Sequence, residues 1–436
     1  MSLKANIYIP IEIMYRELTP RIYLAGCLAK AGYRVYIGSK SGIYNLIKNK
    51  KIKEGIFFYK SAFGKNTIST IPLIKKCDHA AILDEELGIG MGYVPSALEG
   101  RLINLKYISK FFVIGNSIKK KIIKKISKDK SKIISSGWPL YDLCKEKNLN
   151  YYLKEAKKIK KEYKNFYLFS SNFGFLNKKD LEIQKKNKSF KNSKKNKKII
   201  NEVYTNAYKD YKEFIKKINQ YSEKNKKKII IRPHPSDRIF KNWKNDVKIN
   251  KNVQIIYKND ITPWILASDG LIHRGCSTSG VASLLNKRVF YLLPSRKLKN
   301  YEKNITYKIS NKIKDLKFEN KNIINRTNVN KILEKNIHNF SNLNSSKIII
   351  KNLQTLKVTK TRSIHKFQFK LRLFDYLRKI KILLNTILFE KNKINLKMPR
   401  PILKKDIKHK LEQIFENRQY KVKSLGGETF EIDYLI

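Results

Sequence analysis

The sequence predicts an α/β protein with two Rossmann-like domains in tandem and a basic, mainly helical extension at the carboxyl end. Short apolar runs alternate with stretches of helical spacing, and polar clusters follow several of these runs. The length of 436 residues also exceeds what one hydrophobic core usually supports. We expect an amino-terminal domain over residues 1–147, a second domain over residues 148–312 and the extension over residues 313–436.

The first domain opens with a β-α-β pattern. Residues 7–9 form an apolar run that predicts a strand, residues 18–31 have helical spacing and end at Gly32, and residues 34–38 predict the next strand. Further strands are predicted over 80–83, 110–115 and 133–137. Because strands and helices alternate, a parallel sheet is the economical arrangement.

A lysine-rich helix predicted over residues 151–164 leads to the second domain, whose first strand begins at Phe166. Residues 177–198 are dominated by Lys, Asn and Ser and predict a solvated loop before a helix over 204–221. The later predicted elements are strands ending at Arg232 and His273, strands over 253–257 and 289–293, and helices over 263–267 and up to Asn286.

The extension gives weaker signals. Residues 367–389 mix Phe, Leu and Ile with Lys and Arg at helical spacing, which predicts an amphipathic basic helix. Such a helix either packs on the domains or contacts a membrane surface.

The net charge of +60 raises the question of a nucleic-acid partner. The lysines are mixed throughout with Ile, Asn and Tyr, whose codons are also rich in A and T, so a biased genome explains the composition. No nucleic-acid-binding motif is recognised, and we expect no specific nucleic-acid partner. A basic surface would still attract an anionic membrane by about 1 kcal/mol for each well-placed Lys or Arg.

Several classes of protein and site are disfavoured. The chain shows neither an apolar run of about 18 residues nor the layout of a signal peptide, so we expect a cytoplasmic protein that can associate peripherally with the inner membrane face. Its four cysteines have no C-x-x-C spacing, which argues against a disulfide framework or a zinc site. Because no Asp-x-Asp pair, Walker loop or G-x-G-x-x-G fingerprint occurs, we expect neither a metal nor a cofactor.

Two polar clusters in the second domain suggest a nucleotide site. Arg232-Pro233-His234-Pro235 and the segment 273–280 each follow a predicted strand, at the edge where open α/β sheets bind ligands. The prolines hold His234 rigidly, and the hydroxyls of the second cluster can cap a helix beginning near Gly280 and leave N–H groups for a phosphate. The candidate nucleotide-binding residues are Arg232, His234, Pro235, His273, Arg274, Ser277, Thr278 and Ser279.

A carboxylate triplet in the first domain is the candidate catalytic group. Asp84, Glu85 and Glu86 follow a predicted strand and precede a glycine-bearing turn over residues 88–93. Adjacent carboxylates repel one another unless cations or a substrate face them, although acids at a helix N-terminus are a plain alternative. A carboxylate here can act as a nucleophile toward an anomeric carbon or as a base for an acceptor hydroxyl.

The loop after the first strand holds candidate sugar-binding residues. An arginine at this position can clamp a sugar carboxylate through two hydrogen bonds, although capping of the following helix is the alternative. These candidates are Glu12, Arg16 and Glu17, with Lys60 and Lys65 in a comparable turn as weaker candidates. Gly137-Trp138-Pro139 with Asp142 is interpreted as interdomain structure.

Together these pieces resemble the bacterial surface-carbohydrate biosynthesis proteins, a group similar to the β-Kdo glycosyltransferases of capsule and lipopolysaccharide assembly. The resemblance covers about residues 5–295. It depends on Ile9-Pro10-Ile11-Glu12 with Arg16-Glu17-Leu18, Leu83-Asp84-Glu85-Glu86, Gly137-Trp138-Pro139, Arg232-Pro233-His234-Pro235, and His273-Arg274-Gly275 with the following Ser277-Thr278-Ser279-Gly280.

The resemblance implies a GT-B glycosyltransferase with its active site in the cleft between two Rossmann-like domains. It also implies a CMP-activated acidic sugar such as Kdo as donor, a glycan or glycolipid acceptor, and retention of configuration. One residue of the acidic triplet would be the nucleophile or base, while His234, His273, Ser277 and Thr278 would meet the CMP. Leu87 stands where a glycine is more familiar, so the choice among the three carboxylates stays open.

Three other functions remain open from the sequence. A CDP-activated glycerophosphate or polyol-phosphate transferase would use the same His-Pro element, and a donor panel separates it from the CMP-sugar enzyme. A basic nucleic-acid-binding protein predicts an affinity that falls steeply with salt. A catalytically inactive relative would act as a scaffold in polysaccharide assembly.

Overall fold

The chain divides into two compact units, Met1–Tyr151 with Asn330–Ile436, and Tyr152–Val329. A computed structural model describes the following residues, and every statement below concerns them: 5–61, 70–89, 101–102, 105–145, 148–173, 176, 194–224, 227–235, 237, 245–295, 304–318, 324–342, 344–359, 373, 376–377, 380, 397–416 and 419–435. Among the predicted features, Lys65, residues 90–93 of the turn after the acidic triplet, residues 177–193 and most of 367–389 lie outside this set.

An eight-stranded sheet forms the centre of the first unit, in the order β13-β14-β2-β1-β3-β4-β5-β6. Its strands are β1 (Asn6–Ile11), β2 (Arg34–Ser39), β3 (Ile56–Tyr59), β4 (His79–Leu83), β5 (Lys110–Val113), β6 (Ile133–Ser135), β13 (Tyr420–Gly426) and β14 (Thr429–Tyr434). Strands β1 to β6 are parallel, whereas β13 and β14 form an antiparallel hairpin that pairs with β2. The parallel part confirms the predicted Rossmann-like sheet.

Seven α-helices of the described residues lie wholly in the first unit. Its first part contains α1 (Met14–Lys30), α2 (Lys40–Lys48), α3 (Ile71–Ile74), α4 (Asn116–Ile123) and α5 (Pro139–Leu143), and its second part contains α12 (Ser345–Leu353) and α13 (Lys404–Phe415). Ser39 starts α2 by accepting a hydrogen bond from the Gly42 N–H at 3.2 Å. Helix α1 ends before Gly32, whose φ of 91° suits a residue without a Cβ.

The second unit contains a six-stranded parallel sheet in the order β12-β11-β10-β7-β8-β9. Its strands are β7 (Phe166–Ser170), β8 (Lys228–Arg232), β9 (Val253–Ile255), β10 (Gly270–His273), β11 (Val289–Leu292) and β12 (Asn311–Ile313). Its helices are α7 (Lys194–Lys224), α8 (Ile261–Ala267), α9 (Thr278–Leu284) and α10 (Ile305–Lys308), while α6 (Asn150–Tyr163) and α11 (Arg326–Asn336) each cross a boundary between the units. The second Rossmann-like fold is therefore confirmed.

The core of the second unit is rich in aromatic side chains. Phe169 of β7 stacks on Phe214 of α7 with ring centroids 4.1 Å apart, and Phe318 stacks on Tyr167 at 3.8 Å. Each such pair stabilises the fold by about 0.5–1.5 kcal/mol beyond the stabilisation that comes from burying its apolar surface. Because β12 pairs with β11 and Phe318 packs on this core, the unit continues to Val329 and does not end at residue 312 as the sequence suggested.

The carboxyl-terminal extension contains the expected helices, α12 and α13, and also a strand hairpin that the sequence did not predict. Residues from Asn330 onward belong to the first unit, and their last described part is the β13–β14 hairpin. This hairpin covers the edge of β2 and buries Phe430 and Ile432. The carboxylate of Asp142 attaches α12 to the same unit by accepting hydrogen bonds from the N–H and hydroxyl groups of both residues that begin the helix.

Two smaller differences concern local signals. The buried strand β3 was not predicted, although its sequence Ile-Phe-Phe-Tyr suits a strand. Residues 194–198 belong to α7 and not to a solvated loop. No helix within the described residues is long and apolar enough to cross a membrane.

Candidate functional site

Charged side chains follow three neighbouring strands of the first sheet. Glu12 comes directly after β1, Lys60 after β3, and the acidic triplet after β4. Because these strands are parallel and adjacent, their carboxyl ends share one edge of the sheet. The structure thus brings together the predicted sugar-binding residues and places the triplet at the same edge.

Glu17 is the centre of an ionic network in this region. Its buried carboxylate accepts hydrogen bonds from the N–H groups of Glu12 and Ile13 at 2.8 and 3.2 Å, and from Arg16 Nη2 and Lys60 Nζ at 3.1 and 2.9 Å. These contacts fold the loop after β1 back onto the first turn of α1. Glu17 therefore organises the loop, and its carboxylate has little capacity left for a ligand.

Glu12 lies beside this network and is surrounded by lysines. Its Oε2 lies 3.3 Å from the Nζ atoms of both Lys40 and Lys60, and its Oε1 lies 3.2 Å from Lys397 Nζ. Burial alone would raise the pKa values of Glu12 and Glu17, but the adjacent cations, Lys60 foremost, lower both to about 2. Both carboxylates are therefore ionised at neutral pH.

A small pocket opens beside this network. Its lining residues are Pro10, Glu12, Lys40, Tyr44, Tyr59, Lys60, Ser61 and Thr70. Among these lining residues two lysines, Lys40 and Lys60, stand against one carboxylate, that of Glu12. The region therefore has a positive excess, and hydroxyl groups lie in the pocket wall.

Asp84 is fully buried, and both of its oxygens are occupied. Oδ1 accepts the N–H groups of Glu86 and Leu87 at 3.1 and 2.9 Å, and Oδ2 accepts Arg101 Nε at 2.6 Å. Arg101 Nη2 also binds Glu86 Oε2 at 2.9 Å. Burial raises the pKa of Asp84, and Arg101 offsets part of that rise. Asp84 thus shapes the turn that carries the other two carboxylates.

Glu85 is held differently from its two neighbours. Its Oε2 lies 3.2 Å from Nη2 of Arg21, a buried residue of α1 whose guanidinium also lies over the Phe58 ring at 5.5 Å. The Glu85 side chain is 15% exposed, compared with 0% for Asp84 and 37% for Glu86. Burial raises the pKa of nearby Tyr141, and the Glu85 charge adds to this rise. Glu85 is therefore positioned by a buried cation and remains reachable.

Sequence reasoning missed four cations of this site: Arg21, Lys40, Arg101 and Lys397. Arg21 could have been recognised, because it lies one helical turn after Glu17 on α1. Lys397 gives no such signal, since 385 residues separate it from its partner Glu12.

In the second unit, both predicted arginines make internal contacts. Arg232 donates hydrogen bonds to the carbonyl oxygens of Lys258, at 2.6 Å, and Asn259. Arg274 donates to the Asp210 carbonyl oxygen at 2.8 Å and pairs with its carboxylate at 3.3 Å. Both arginines hold loops in place here, and their predicted contact with a nucleotide stays a prediction.

His273 is fully buried at the end of β10. Its Nδ1 accepts hydrogen bonds from the N–H groups of Gly275 and Cys276 at 3.0 and 3.2 Å, so Nε2 carries the proton and donates to Ser310 Oγ at 2.9 Å. Burial lowers the pKa of His273 to about 3. With both ring nitrogens engaged, this histidine anchors the loop, and its predicted contact with a phosphate stays a prediction.

The other predicted nucleotide-binding residues lie in two loops at one sheet edge. Pro235 and His234 are half-buried after β8, and the His234 N–H donates to Asp237 Oδ2 at 2.9 Å. Asp237 also accepts from Ser171 Oγ, which joins this loop to the end of β7. Because β10, β7 and β8 are adjacent, the two predicted clusters share the carboxyl edge of this sheet.

The Ser-Thr-Ser segment begins α9 differently from the expectation. The helix starts at Thr278, and Ser277 occupies the N-cap position without a capping bond from its side chain. Ser277 is exposed and Thr278 half-buried, whereas buried Ser279 donates from Oγ to the Cys276 carbonyl oxygen at 2.8 Å. Ser277 and Thr278 are therefore the accessible members of this cluster.

Comparison with known proteins gives matches only among solved structures. No protein-family model matches the sequence, and no curated protein matches it significantly. The UDP-GlcNAc 2-epimerase of Methanocaldococcus jannaschii, in complex with UDP-GlcNAc and UDP, is 13% identical with a TM-score of 0.48, covering 80% of this chain and 100% of that one.

Two further structures show similar values. S. aureus MnaA with UDP is 11% identical, with a TM-score of 0.46 and coverage of 81% of this chain and 96% of that chain. The wall teichoic acid polymerase TagF is 11% identical, with a TM-score of 0.43 and coverage of 81% and 88%. Identity this low does not carry a function from those proteins to this chain.

Proposed function

We propose that the protein is a glycosyltransferase of the GT-B type that moves an acidic, Kdo-like sugar from a CMP-activated donor to a surface polysaccharide or lipopolysaccharide acceptor. The transfer needs no metal and retains the anomeric configuration. The observation that supports this most is the cationic, hydroxyl-lined pocket of the first unit, at the sheet edge that also carries the acidic triplet. The protein would work at the inner face of the cytoplasmic membrane, attracted there by its basic surface.

The charge of the pocket suits the carboxylate of an anionic sugar, while its cavity of about 20 Å³ has room for one water-sized group and not for a whole sugar ring. Lys40 and Lys60 line it beside Glu12, and these two lysines exceed the one carboxylate, so a sugar carboxylate would restore balance. Tyr44 and Thr70 place hydroxyl groups in the same wall, where sugar hydroxyls can exchange hydrogen bonds. The glycerophosphate that the CDP-activated alternative transfers is also an anion, so the donor panel and not the charge of the pocket separates the two donors.

Glu85 is the carboxylate that we assign to the reaction. Asp84 has both oxygens occupied, and Glu86 is bound by Arg101, whereas Glu85 is held by Arg21 from one side. As a nucleophile, Glu85 attacks the anomeric carbon while the bond from that carbon to the phosphate oxygen breaks and CMP leaves with the electron pair. An acceptor hydroxyl then displaces the carboxylate and loses its proton to a base.

The second unit would receive the CMP part of the donor. His234, Ser277 and Thr278 are the accessible predicted residues at the carboxyl edge of its sheet, which is the usual ligand edge. These loops would be held in place by the internal hydrogen bonds of Arg232, Arg274 and His273. A phosphate could thus be held by hydroxyl and backbone N–H groups without a metal.

Nucleotide binding is the first test. Thermal stabilisation by CMP, CDP, UDP, GDP and ADP is compared at matched concentrations and again at high salt, since a protein of net charge +60 attracts any phosphate. We expect CMP to give the largest shift and the shift to survive salt. Equal shifts that salt removes would indicate charge alone and contradict the proposal.

The role of Glu85 is tested with a donor panel. We expect Glu85→Gln to lower transfer from CMP-Kdo by at least about 10³-fold while CMP stabilisation is kept. Glu86→Gln is the matched control and should lose less than about tenfold. Unchanged transfer in Glu85→Gln would remove Glu85 from the reaction, and transfer from CDP-glycerol instead of CMP-Kdo would identify the polyol-phosphate alternative.

A further inference from the structure

Arg21 is a buried cation that depends on one anionic partner. Its side chain is 2% exposed, and its Nη2 atom lies 3.2 Å from Oε2 of Glu85. In the described part of the chain, none of the three guanidinium nitrogens makes a hydrogen bond. The Phe58 ring, 5.5 Å away, attracts a cation but carries no charge. Among the described residues, Glu85 is therefore the group that balances the charge of Arg21.

Two other carboxylates of the site are already occupied. Glu17 stands one helical turn before Arg21, but its oxygens accept hydrogen bonds from two side-chain cations and two backbone N–H groups. Asp84 comes directly before Glu85, and its oxygens are taken by one side-chain cation and two backbone N–H groups. If Glu85 lost its charge, Arg21 would remain as a buried cation without a counter-ion, which is strongly unfavourable.

We propose that Arg21 is a positioning residue that drives the release of the sugar from Glu85 in the second step of the reaction. This inference rests on the proposed function, in which Glu85 is the nucleophile. In the first step, an oxygen of Glu85 bonds to the anomeric carbon, and CMP leaves with the electron pair of the broken bond. Glu85 is then a neutral ester, and Arg21 has lost the charge that balances it.

The second step restores the ion pair. The acceptor hydroxyl oxygen bonds to the anomeric carbon, its proton passes to a water molecule, and the electron pair of the broken ester bond returns to Glu85. Because negative charge develops on Glu85 beside the buried guanidinium, Arg21 stabilises the transition state of this step. The same cation disfavours the neutral ester, so the ester is short-lived.

Single-turnover kinetics of the full chain test the inference. Protein in excess is mixed with CMP-Kdo, water takes the place of the acceptor hydroxyl, and acid-quenched samples are analysed by mass spectrometry. The readouts are the rate at which Glu85 gains one sugar residue and the rate at which it loses that residue. We expect the loss to be at least about 30-fold slower in Arg21→Gln than in the wild type, while the gain slows by less than about threefold.

The matched control is Arg101→Gln, because Arg101 is equally buried but pairs with Asp84 and Glu86. If this variant affects the reaction, it should slow the gain and the loss of the sugar alike, as a purely structural change does. Arg21→Lys keeps the positive charge with a shorter reach, so its loss of the sugar should be slower than in the wild type by about three- to tenfold. This variant decides the question if Arg21→Gln does not fold.

The outcomes separate this inference from the proposed function. If the wild type neither carries the sugar on Glu85 nor releases CMP from CMP-Kdo, the proposed function fails and the role of Arg21 fails with it. If the wild type reacts through Glu85 but both Arg21 variants lose the sugar as fast as the wild type, the proposed function stands and the inference alone is overturned. A slower loss that Arg101→Gln shows to the same degree, with an unchanged gain, would also overturn it.

Discussion

The buried imidazole of His273 makes the stability of the second unit depend on pH. Nδ1 accepts two backbone N–H groups from Gly275 and Cys276, so a proton on this atom would break both hydrogen bonds and place a charge in the core. Burial lowers the pKa of His273 to about 3 from an ordinary value of 6.5. Acidification is therefore the perturbation, and the loop before α9 is the element at risk.

The sign follows from the two pKa values. Because the folded pKa lies below the unfolded one, the unfolded chain binds the additional proton between about pH 6.5 and about pH 3. The stability from the neutral ring is complete above pH 6.5 and is lost as pH falls. The loss is about 1 kcal/mol between pH 6.5 and 5.5 and about 1.4 kcal/mol for each further pH unit.

Two measurements check the lowered pKa of His273 and the loss of stability that follows from it. NMR of the histidine-labelled protein should show a His273 ring signal that does not titrate between pH 8 and pH 5, with the signal identified by its absence from His273→Asn. Urea unfolding of the second unit should lose stability on acidification more steeply in the wild type than in His273→Asn, by one proton's slope. The asparagine can still accept from Gly275 but cannot donate to Ser310, so we expect it to cost about 2–3 kcal/mol at pH 7.

A His273 signal with a midpoint near pH 6.5 would refute the reasoning. The ring would then be open to solvent, and its predicted contact with a phosphate would regain support. Equal pH slopes in wild type and variant would likewise show that His273 contributes nothing to the acid sensitivity.

Two further substitutions test how the carboxyl-terminal segment joins the first unit. The carboxylate of Asp142 accepts hydrogen bonds from Ser345 and Ser346 at 2.7–2.9 Å, and Asp142→Asn replaces one of its oxygens with a donor. We expect the free energy of unfolding to fall by about 2–4 kcal/mol and hydrogen exchange in α12 to become at least about 30-fold faster. Gly38→Ala would place a Cβ 2.0 Å from the Glu428 carbonyl oxygen, and since backbone cannot rotate away, we expect at least about 1–3 kcal/mol of destabilisation and faster exchange in the β13–β14 hairpin.

Matched controls accompany both substitutions. Asp129→Asn removes an exposed carboxylate paired with Lys132 and should change stability by less than about 0.5 kcal/mol. Ser41→Ala, which alters the exposed start of α2, serves as the control for the hairpin. Unaltered exchange in α12 or in the hairpin would show that the corresponding contact does not hold the segment.

Local patterns in the sequence were sufficient for the two Rossmann-like folds. Strand ends at Leu83, Arg232 and His273 were predicted at the residues where the structure has them, because a buried parallel strand is a short apolar run that stops at a polar residue. The hairpin of β13 and β14 was missed. Its strands carry a local signal, because Tyr420–Leu425 and Thr429–Tyr434 alternate polar and apolar residues on either side of Gly426-Gly427. What no local pattern shows is that the hairpin pairs with β2, nearly 400 residues away along the chain.

The same division holds for the candidate site. The sequence alone determined that Glu12, Lys60 and the acidic triplet follow strands, and parallel pairing of those strands then places them at one edge. Only the tertiary structure decided which side chains remain accessible. Asp84 and Glu85 are adjacent in sequence, yet one is enclosed by Arg101 and backbone N–H groups while the other is partly open beside Arg21. Burial and ion pairing depend on residues brought in from distant parts of the chain, and no local pattern encodes them.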